Sequence, residues 1–404
     1  MADTPRMRVL HVVKTADGAD WAWKMVTHLV DMGVEVHVAL PHLEGRFIAD
    51  WRASGATLHA FDASLPIRRP WLFPGRARAL RRLIAAIGPD LIHAHFVTNI
   101  VFLRLALGAS SVPRVFQVPG PLHLEHAAIR RMERASAGPR DWWVASSRYI
   151  RDLYRAHGVA AERVFLSYYG SDPTGFQDAR TGELRRELGI PADAFVIGNI
   201  NYFYAPKRYL GHVRGLKNHE DILAAARLVG PDEAAWWVLV GRQWGPGQGY
   251  YQRLRRQAAA IPAHILFPGW RPAAVIKRIW ADFDLAVHVP LSENCGGVIE
   301  PLMAGVPVVA AAVGGLPEVI VAGVTGDLVP SRDPAALARA IEAVRRDPEA
   351  ARTRARRGQR LVREMFDSAR TAREIHEIYK HILGARDEPP AEYDAARVVA
   401  AWGT

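Results

Sequence analysis

Residues 284–311, DLAVHVPLSENCGGVIEPLMAGVPVVAA, contain two short apolar runs separated by a glycine-containing loop and a helix-like stretch. The runs DLAVHVP and VPVVAA are short and rich in valine, which is typical of strands buried in a sheet. Residues 298–304 between them have a helical pattern. A strand, a helix and a second strand at this spacing predict two parallel strands joined by a crossover helix.

The same alternation of strand-like and helix-like runs extends over most of the 404 residues. A chain of this length exceeds the size at which a single hydrophobic core stops growing, so two domains are expected. The alternation restarts after a segment dense in Gly, Pro, Asp and Ser at residues 167–194. The sequence therefore predicts an α/β fold with two Rossmann-like, doubly wound domains, residues 1–190 and 191–366, facing a central cleft. Residues 367–404 are predicted to form a C-terminal helix and a tail that cross back to the first domain.

Composition narrows the class of protein. Half of the residues are hydrophobic and 23% are charged, as in an ordinary globular protein. The single cysteine, Cys295, excludes an intrachain disulfide and a zinc cluster built on cysteines. Because the chain starts without a signal-peptide pattern and has no uninterrupted apolar run of about 18 residues, we expect a cytoplasmic protein. The formal charge of +11 leaves nucleic acid, a membrane surface or a polyanionic substrate open as partners.

The loop in residues 284–311 combines phosphate-binding and hydroxyl-binding groups. Gly296, Gly297 and Val298 are predicted to present backbone N–H groups at the start of a helix, where phosphate is attracted. A carboxylate beside a phosphate would repel it, so Glu293 and Glu300 are expected to accept hydrogen bonds from hydroxyls of the same ligand. A sugar nucleotide carries both kinds of group. The alternative is a glycine turn with two solvated acids.

At this point the chain resembles a known family. The run from Glu293 through GGVIEPLMAGVPVVAAAVGGLPEVIVAGVTGDLVPSRDPAALARAI is similar to the C-terminal half of the retaining GT-B glycosyltransferases of family 4 (group 1 glycosyltransferases). The resemblance implies transfer of a hexosyl unit from a nucleoside diphosphate sugar, with UDP expected before GDP, and retention of anomeric configuration. It places the first acid near the donor sugar and the second on the ribose. Six residues separate Glu293 from Glu300 where the family usually has seven, so either Ser292 occupies the usual acid position or the loop is one residue shorter. Asn294 and the glycine backbone are alternative contacts to the sugar.

Two further segments of the second domain resemble donor-binding parts of the family. In NINYFYAPKRYLGHVRGLKNHEDILAAARLV, Lys217 and Arg214 are the expected partners of the diphosphate, and Lys207 or Arg208 in the preceding insertion is the alternative to Arg214. For Arg208 a solvated charge is the preferred interpretation. A third segment, LFPGWRP, is expected to contact the nucleobase through the backbone of three residues, with a plain turn as the alternative: Gly269, Trp270 and Arg271.

The resemblance is weaker in the first domain. Gly18 stands where the family has a glycine-rich loop after the first strand, and it is expected to approach the donor phosphates. His93 and His95 match the family's His-x-His, and we interpret His93 as a core residue and His95 as a group facing the acceptor. His123 is the second acceptor-side candidate. The predicted catalytic set is His95, His123, Glu293 and Lys217.

Several patterns favour structural roles over chemistry. Asp282 and Asp284 form the Asp-x-Asp of a different class of glycosyltransferase, but capping and turn roles are preferred, so no metal and no cofactor are expected. Cys295 is interpreted as a small loop residue. The glycines after residue 240 do not match a dinucleotide fingerprint, which argues against NAD.

The sequence leaves more than one class of binding partner possible. The basic segment at residues 67–88 is either a core helix with solvated arginines or a membrane-surface helix, so peripheral membrane association is left open. The expected acceptor is a sugar, a lipid-linked sugar or a secondary metabolite, and nucleic acid is not expected. The rival functions are a nucleotide-sugar epimerase of the same architecture and a non-catalytic anion- or membrane-binding protein.

Overall fold

The computed structural model describes residues 6–231 and 234–402. The chain forms two compact units: Met1–Asp172 with Phe366–Tyr393, and Pro173–Met365 with Asp394–Thr404. Among the described helices, none is both long and apolar enough to cross a lipid bilayer.

A parallel sheet forms the centre of the first unit. Its seven strands in the described residues have the order β3-β2-β1-β4-β5-β6-β7. Numbered along the chain, they are β1 Arg8–Val12, β2 Glu35–Leu40, β3 Thr57–Ala60, β4 Leu91–His95, β5 Arg114–Gln117, β6 Asp141–Ala145 and β7 Val164–Leu166. The helices of this unit are α1 Asp20–Asp31, α2 Ile48–Ala53, α3 Phe73–Ile87, α4 Val97–Leu107, α5 Leu122–Glu125, α6 Ala127–Ala135, α7 Arg148–Ala156 and, from the C-terminal part of the chain, α16 Ser368–Ile382.

Alternate residues of β1 face two different cores. Val9 packs in a core with buried residues of α1 and α16, such as Ile375. Leu10 and Val12 pack in a second core with buried residues of α3 and α4, such as Phe102. Since successive strand residues point to opposite faces of a sheet, helices cover both faces. The predicted doubly wound architecture is confirmed for this unit.

The basic segment at residues 67–88 contains α3. Leu80 and Ile87 are buried, and Leu83 and Ile84 pack against the same core, so the apolar stripe of the helix faces the interior. Arg78, Arg81 and Arg82 are exposed on its other side. The prediction of a core helix with solvated arginines is therefore confirmed. Just before α3, Ile67 and Trp71 are 73% and 71% exposed.

A second parallel sheet forms the centre of the second unit. Its six strands in the described residues have the order β10-β9-β8-β11-β12-β13. They are β8 Phe195–Ile200, β9 Ala235–Val240, β10 His264–Gly269, β11 Leu285–His288, β12 Val308–Ala311 and β13 Asp327–Val329. The helices are α8 Glu183–Leu188, α9 His219–Val229, α10 Gly249–Ala259, α11 Ala273–Ile279, α12 Ile299–Met303, α13 Leu316–Val319, α14 Pro334–Arg346, α15 Pro348–Met365 and α17 Ala395–Ala400.

The C-terminal segment is shared between the units. The sequence analysis assigned residues 367–404 to the first domain, whereas α17 packs against α13 and α15 of the second unit. Val399 of α17 is buried, and the Arg360 guanidinium lies 4.9 Å from the centroid of the Trp402 ring. Apolar burial and this cation–π contact therefore hold the last helix on the second unit.

The start of the second unit lies earlier than the predicted boundary at residue 190, because Asp282 binds α8. The Asp282 carboxylate accepts hydrogen bonds from the backbone N–H groups of Gly182 at 2.6 Å and Leu184 at 2.8 Å. These groups lie at the N-terminus of α8, where backbone donors lack partners within the helix. Asp284 accepts from the N–H of Val196 at 2.8 Å and forms an ion pair with Arg185. The predicted capping and turn roles of the two aspartates are confirmed.

Replacing Asp282 by Ala should destabilise the second unit. The change leaves the two N–H groups and the Thr181 hydroxyl without their carboxylate partner, so we expect a loss of at least about 2 kcal/mol in the free energy of unfolding, measured by urea denaturation. Asp178→Ala is the control, because the Asp178 side chain is 69% exposed in its ion pair with Arg363 and such pairs contribute about 0–1 kcal/mol. Equal urea midpoints for the two variants would contradict the capping role.

Candidate functional site

The candidate site of the second unit lies where its strand order reverses. β8 and β11 are neighbours in the sheet, with Ala286 opposite Gly198, but β8 leads to β9 on one side and β11 leads to β12 on the other. Ligands of doubly wound sheets bind outside the carboxyl ends of the strands at this kind of position. The loop after β8 contains Lys217, and the loop after β11 contains Glu293.

Glu293 is the centre of the site. Its carboxylate forms an ion pair with the Lys217 ammonium group and lies 3.0 Å from Nε2 of His288. The other carboxylate oxygen accepts the N–H of Asn294 at 3.1 Å. Burial by itself raises the pKa of Glu293, but the charge of Lys217 and the hydrogen bond from His288 outweigh it and lower the pKa to about 2. Glu293 is therefore a carboxylate across the physiological pH range.

His288 is a site residue that the sequence analysis missed. It is the last residue of β11 and is buried. The amide nitrogen of Asn201 lies 3.3 Å from His288 Nδ1, so Nδ1 accepts a hydrogen bond and Nε2–H donates to Glu293. Burial lowers the pKa of His288, which keeps the ring neutral in this arrangement. The available signal was a polar residue at the carboxyl end of an otherwise apolar strand.

Two glycines are required by close contacts around this group. A β-carbon on Gly297 would lie 2.2 Å from Nε2 of His288, and Gly297 has a left-handed φ of 78°. A β-carbon on Gly314 would lie 1.7 Å from the carbonyl oxygen of Glu293. A side chain at either position would displace the loop, so the observed position of Glu293 requires glycine at both.

The predicted helix start differs slightly from the observed one. α12 begins at Ile299 with Val298 as its N-cap residue, so Gly296 and Gly297 belong to the preceding loop. Cys295 is buried, and burial raises the pKa of its thiol well above the ordinary value. The interpretation of Cys295 as a structural loop residue is therefore confirmed.

The phosphate-binding candidates lie in the loop between β8 and α9. The guanidinium of Arg214 forms an ion pair with buried Asp221 in the first turn of α9, yet 40% of the Arg214 side chain is exposed. The Lys217 side chain is 15% exposed. Arg208 is exposed in a 3₁₀ turn, Arg208–Leu210, as expected for a solvated charge. Arg214 and Lys217 thus both have acidic partners that orient them.

Glu300 and the nucleobase candidates lie nearer to solvent. Glu300 is exposed, and Nε1–H of Trp280 donates a hydrogen bond of 3.1 Å to its carboxylate. Gly269 is the last residue of β10, and its carbonyl accepts the N–H of Gly241 at 3.0 Å. Trp270 is 36% exposed, with the Arg242 guanidinium 5.3 Å from its ring centroid.

Arg271 is largely engaged by protein groups. Its guanidinium forms an ion pair with Glu187 and donates to the carbonyl of Pro268 at 2.8 Å. The side chain is therefore fixed against the second unit, and the predicted contact of the Arg271 backbone with a base stays a prediction.

An aromatic cluster lies next to this site and was not predicted as a group. Trp244 is 56% exposed, and its ring centroid lies 4.9 Å from that of Tyr202 and 5.8 Å from that of Tyr204. Burial, and next the charge of Glu293, raise the pKa of Tyr204 to about 12. The cluster thus places stacking surface beside the Glu293 carboxylate.

Two of the three candidates in the first unit, His95 and His123, are buried, and Gly18 is half-buried. Gly18 lies in the loop between β1 and α1. His95 is fully buried at the end of β4, with its Nδ1 3.5 Å from the Tyr169 hydroxyl. His123 is 6% exposed in α5, where Nε2 lies 3.2 Å from the Tyr154 hydroxyl. Their roles toward an acceptor stay predictions.

His93 is a buried core residue, as predicted. Its Nδ1 lies 2.6 Å from the Tyr379 hydroxyl, and Nε2 has no hydrogen-bond partner among the described residues.

Two family sequence profiles match the chain. The family described as "Glycosyl transferases group 1" matches residues 208–361, and "Glycosyltransferase Family 4" matches residues 21–174. Together the two matches cover most of the chain, one largely within each unit. The chain belongs to the group 1 glycosyltransferases of family 4, which confirms the resemblance seen in the sequence.

Curated relatives agree with this family. The chain is 29% identical over 277 residues to the D-inositol 3-phosphate glycosyltransferase of Geodermatophilus obscurus, covering 63% of this chain and 59% of that protein. It is 31% identical over 280 residues to D-inositol 3-phosphate glycosyltransferase 1 of Catenulispora acidiphila, covering 64% of each. The match therefore spans about six tenths of the length of these relatives.

Solved structures show the same fold. HepE of Anabaena, in complex with UDP and glucose, has a TM-score of 0.75 at 22% identity over 92% of this chain and 99% of that chain. Sucrose-phosphate synthase from Thermosynechococcus elongatus has a TM-score of 0.76 at 19% identity over 94% and 100%. The predicted GT-B fold with two Rossmann-like domains is confirmed.

The depressed pKa of Glu293 should be visible as pH-dependent stability. A carboxyl whose pKa falls from 4.5 to about 2 on folding stabilises the folded state above pH 4.5, and this contribution is lost as the pH falls toward 2. At about 1.4 kcal/mol per pH unit, the contribution is at most about 3 kcal/mol. Glu293→Gln should be less stable than the natural protein at pH 6, with the difference shrinking below pH 4.5, as measured by urea unfolding.

Glu349→Gln is the control for this measurement. The Glu349 side chain is 75% exposed in its ion pair with Arg352, so its loss should change stability little at any pH. A stability difference for Glu293→Gln that stays constant from pH 6 to pH 3 would contradict the low pKa.

Proposed function

We propose that this chain transfers a hexosyl unit from a nucleoside diphosphate sugar, with UDP as the preferred nucleotide, to an acceptor hydroxyl with retention of anomeric configuration. The observation that carries the proposal is the Lys217–Glu293–His288 group at the carboxyl ends of the two strands where the sheet order reverses. It combines a cation for a diphosphate with a fixed carboxylate for sugar hydroxyls. Family membership supports the reaction class, and the complexes of HepE with UDP and with UDP-glucose support the nucleotide.

The chemistry of the proposed reaction is mainly electrostatic. Negative charge develops on the diphosphate as the bond to the sugar breaks, and Lys217 and Arg214 lie in the loop that would stabilise it. Both cations have carboxylate partners, Glu293 and Asp221, which keep their side chains ordered before the donor arrives. Such preorganisation lowers the cost of reorganisation during the reaction.

We assign recognition of the donor's hydroxyl groups to Glu293 and Glu300. Glu293 has a pKa of about 2, so it remains an acceptor for hydroxyls of the donor sugar. Glu300 is held by Trp280 and exposed, which suits contact with the ribose. Asn294 and the loop backbone at Gly296–Gly297 complete the donor contacts in this proposal, while Gly269 and Trp270 face the base.

The acceptor side is proposed for the first unit, with His95 and His123 as its candidates. The acceptor class is a sugar, a lipid-linked sugar or a secondary metabolite. The curated relatives are named D-inositol 3-phosphate glycosyltransferases. No cofactor and no nucleic acid enter the proposed transfer.

Two rivals are separated by direct tests. An epimerase acts on the donor without an acceptor, so product analysis with donor alone distinguishes it. A non-catalytic anion-binding protein would bind with a steep dependence on salt and would ignore a Glu300→Ala change. Proton NMR of the product from an anomerically pure donor distinguishes retention from inversion.

Lys217→Met should weaken nucleotide binding. Loss of one charge-assisted hydrogen bond to the diphosphate costs about 1.5–3 kcal/mol, so we expect the Kd for UDP to rise about 10- to 100-fold in isothermal titration calorimetry. Lys277→Met is the matched control. Lys277 lies on α11 and not in the loop after β8, and its ammonium group donates a hydrogen bond to the carbonyl of Thr174. The proposal fails if UDP-, GDP- and ADP-sugars all leave the melting temperature of the natural protein unchanged.

We also propose that the exposed surface before and along α3 associates with anionic membranes. Ile67 and Trp71 present apolar area to solvent beside Arg68 and Arg69, and α3 adds further exposed arginines. Apolar side chains flanked by basic ones are suited to the headgroup region of an anionic bilayer. The occupant is thus an acidic lipid surface, which would also present a lipid-linked acceptor.

Vesicle sedimentation tests this association. We expect binding to phosphatidylglycerol vesicles at low salt, lost at high salt, and weakened at least about 10-fold by replacing Ile67 and Trp71 together with Ser, since each buried large apolar side chain contributes about 1.5–3 kcal/mol. Trp244→Ser, which removes an exposed tryptophan of the second unit, is the control. Absence of binding at low salt would remove the idea.

A further inference from the structure

Three histidines lie side by side inside the first unit. His11 is on β1, His93 and His95 are on β4, and His11 is paired with His93 in parallel register. All three side chains are completely buried, on the face of the sheet that packs against α16. One ligand atom from each lies within 4.8 Å of the other two. This is a spacing at which a single metal ion can contact three imidazoles.

Tyrosine hydroxyls bind the opposite nitrogen of each ring. The Tyr379 hydroxyl lies 2.6 Å from Nδ1 of His93 and 3.2 Å from Nε2 of His11. The Tyr169 hydroxyl lies 3.5 Å from Nδ1 of His95. Metal-bound histidines typically donate their second ring N–H to an oxygen atom in this way. The nitrogens that remain toward one another are His11 Nδ1, His93 Nε2 and His95 Nε2.

One pair of the remaining nitrogens has the spacing expected of two ligands of one metal ion. His11 Nδ1 lies 3.4 Å from His95 Nε2, which is close to the edge of about 3.3 Å of a tetrahedron with metal–nitrogen bonds of about 2.0–2.1 Å.

One ring nitrogen of the cluster lacks a hydrogen bond of normal geometry. A chain from His93 to Tyr379, His11, His95 and Tyr169 can pair every other ring nitrogen, in either direction of donation. His93 Nε2 is the nitrogen left over among the described residues, and the nearby Oε1 of Gln117, whose side chain interacts with His93, is also unpaired. A buried polar atom without a partner is costly, and a metal ion would use this lone pair.

We propose that His11, His93 and His95 bind one first-row transition-metal ion, with Zn²⁺ as the reference ion. Among the described residues the cluster contains no carboxylate and no thiolate, so nitrogen-preferring ions such as Zn²⁺, Co²⁺ or copper are favoured over Mg²⁺ or Ca²⁺. Through Tyr379 the ion would tie β1 and β4 to α16. The role is structural, and in this assignment His95 holds the ion and leaves contact with the acceptor to His123. The site is separate from Asp282 and Asp284, on which the expectation of a metal-free protein rested.

The experiment uses the full, untagged chain, since a histidine tag would itself bind metal. Because the cluster is completely buried, the ion should enter as the chain folds, so cells are grown with added Zn²⁺ or Co²⁺ and the protein is purified without chelator. We expect about one metal ion per chain by elemental analysis. The Co²⁺ form should show visible d–d bands without thiolate charge-transfer absorption.

Matched variants locate the ion. His93→Asn keeps a donor near the position of Nδ1, toward Tyr379, but removes Nε2, and it should lower metal affinity at least about 100-fold. Tyr379→Phe keeps all three ligands and should weaken binding about 10- to 100-fold. His59→Asn is the control, since His59 contacts only one other histidine, His37, at 2.9 Å, and it should retain the full equivalent.

Two results would overturn the proposal. In the first, none of zinc, cobalt and copper co-purifies with the natural protein at close to one equivalent per chain. In the second, the metal content falls in His59→Asn and not in His93→Asn. If His93→Asn does not fold, the natural protein still decides the question. Long-range ¹H–¹⁵N spectra must then show metal-dependent shifts at three imidazole nitrogens, and unshifted imidazoles in zinc-grown protein would also overturn it.

Discussion

The parallel pairing of β8 with β11 is the contact on which the second unit depends. Ile197 and Gly198 lie opposite Leu285 and Ala286, and a β-carbon on Gly198 would lie 2.3 Å from the ring of Phe283. These central strands are apolar and buried, so polar groups occur mainly where they end. That constraint gathers a lysine and a glutamate from distant parts of the chain at one edge of the sheet.

Both units contain buried carboxylates that are paired with cations. In the second unit, Glu293 obtains a cation and a neutral imidazole, and its loop is held by close glycine contacts. In the first unit, buried Asp141 pairs with Arg104 at 2.9 Å and with Arg114 at 2.6 Å. Both arrangements place opposite charges together, which is the condition under which buried ions are tolerated. The histidine cluster contains no opposite charge, and one of its ring nitrogens, His93 Nε2, has no hydrogen-bond partner among the described residues.

Much of the fold could be predicted from periodicity. The strand, helix and strand predicted within residues 284–311 are observed as β11, α12 and β12. Short elements were missed: β7, Val164–Leu166, has three residues, and a run of this length carries too little pattern to stand out from a loop. α17 was missed for a related reason, because its six residues are held by tertiary packing against the second unit.

The candidate site was predicted in part. Glu293, Lys217 and the glycines were found because they belong to local motifs with a chemical meaning. His288 was not predicted, because a histidine at the end of a strand becomes informative only when its neighbours in space are known. The side-chain partner of Arg271, Glu187, could not be predicted either, because it lies 84 positions away in the sequence.

Local order along the chain was sufficient to establish the α/β alternation, the glycine loop and the family, because each is encoded by residues close together in sequence. The sequence could not establish which side chains meet. Lys217 and Glu293 are 76 positions apart, and Tyr379 reaches His11 across 368 positions. Contacts of this kind depend on the order of strands in a sheet and on the return of α16 to the first unit, which arise only when apolar faces pack together in the folded chain.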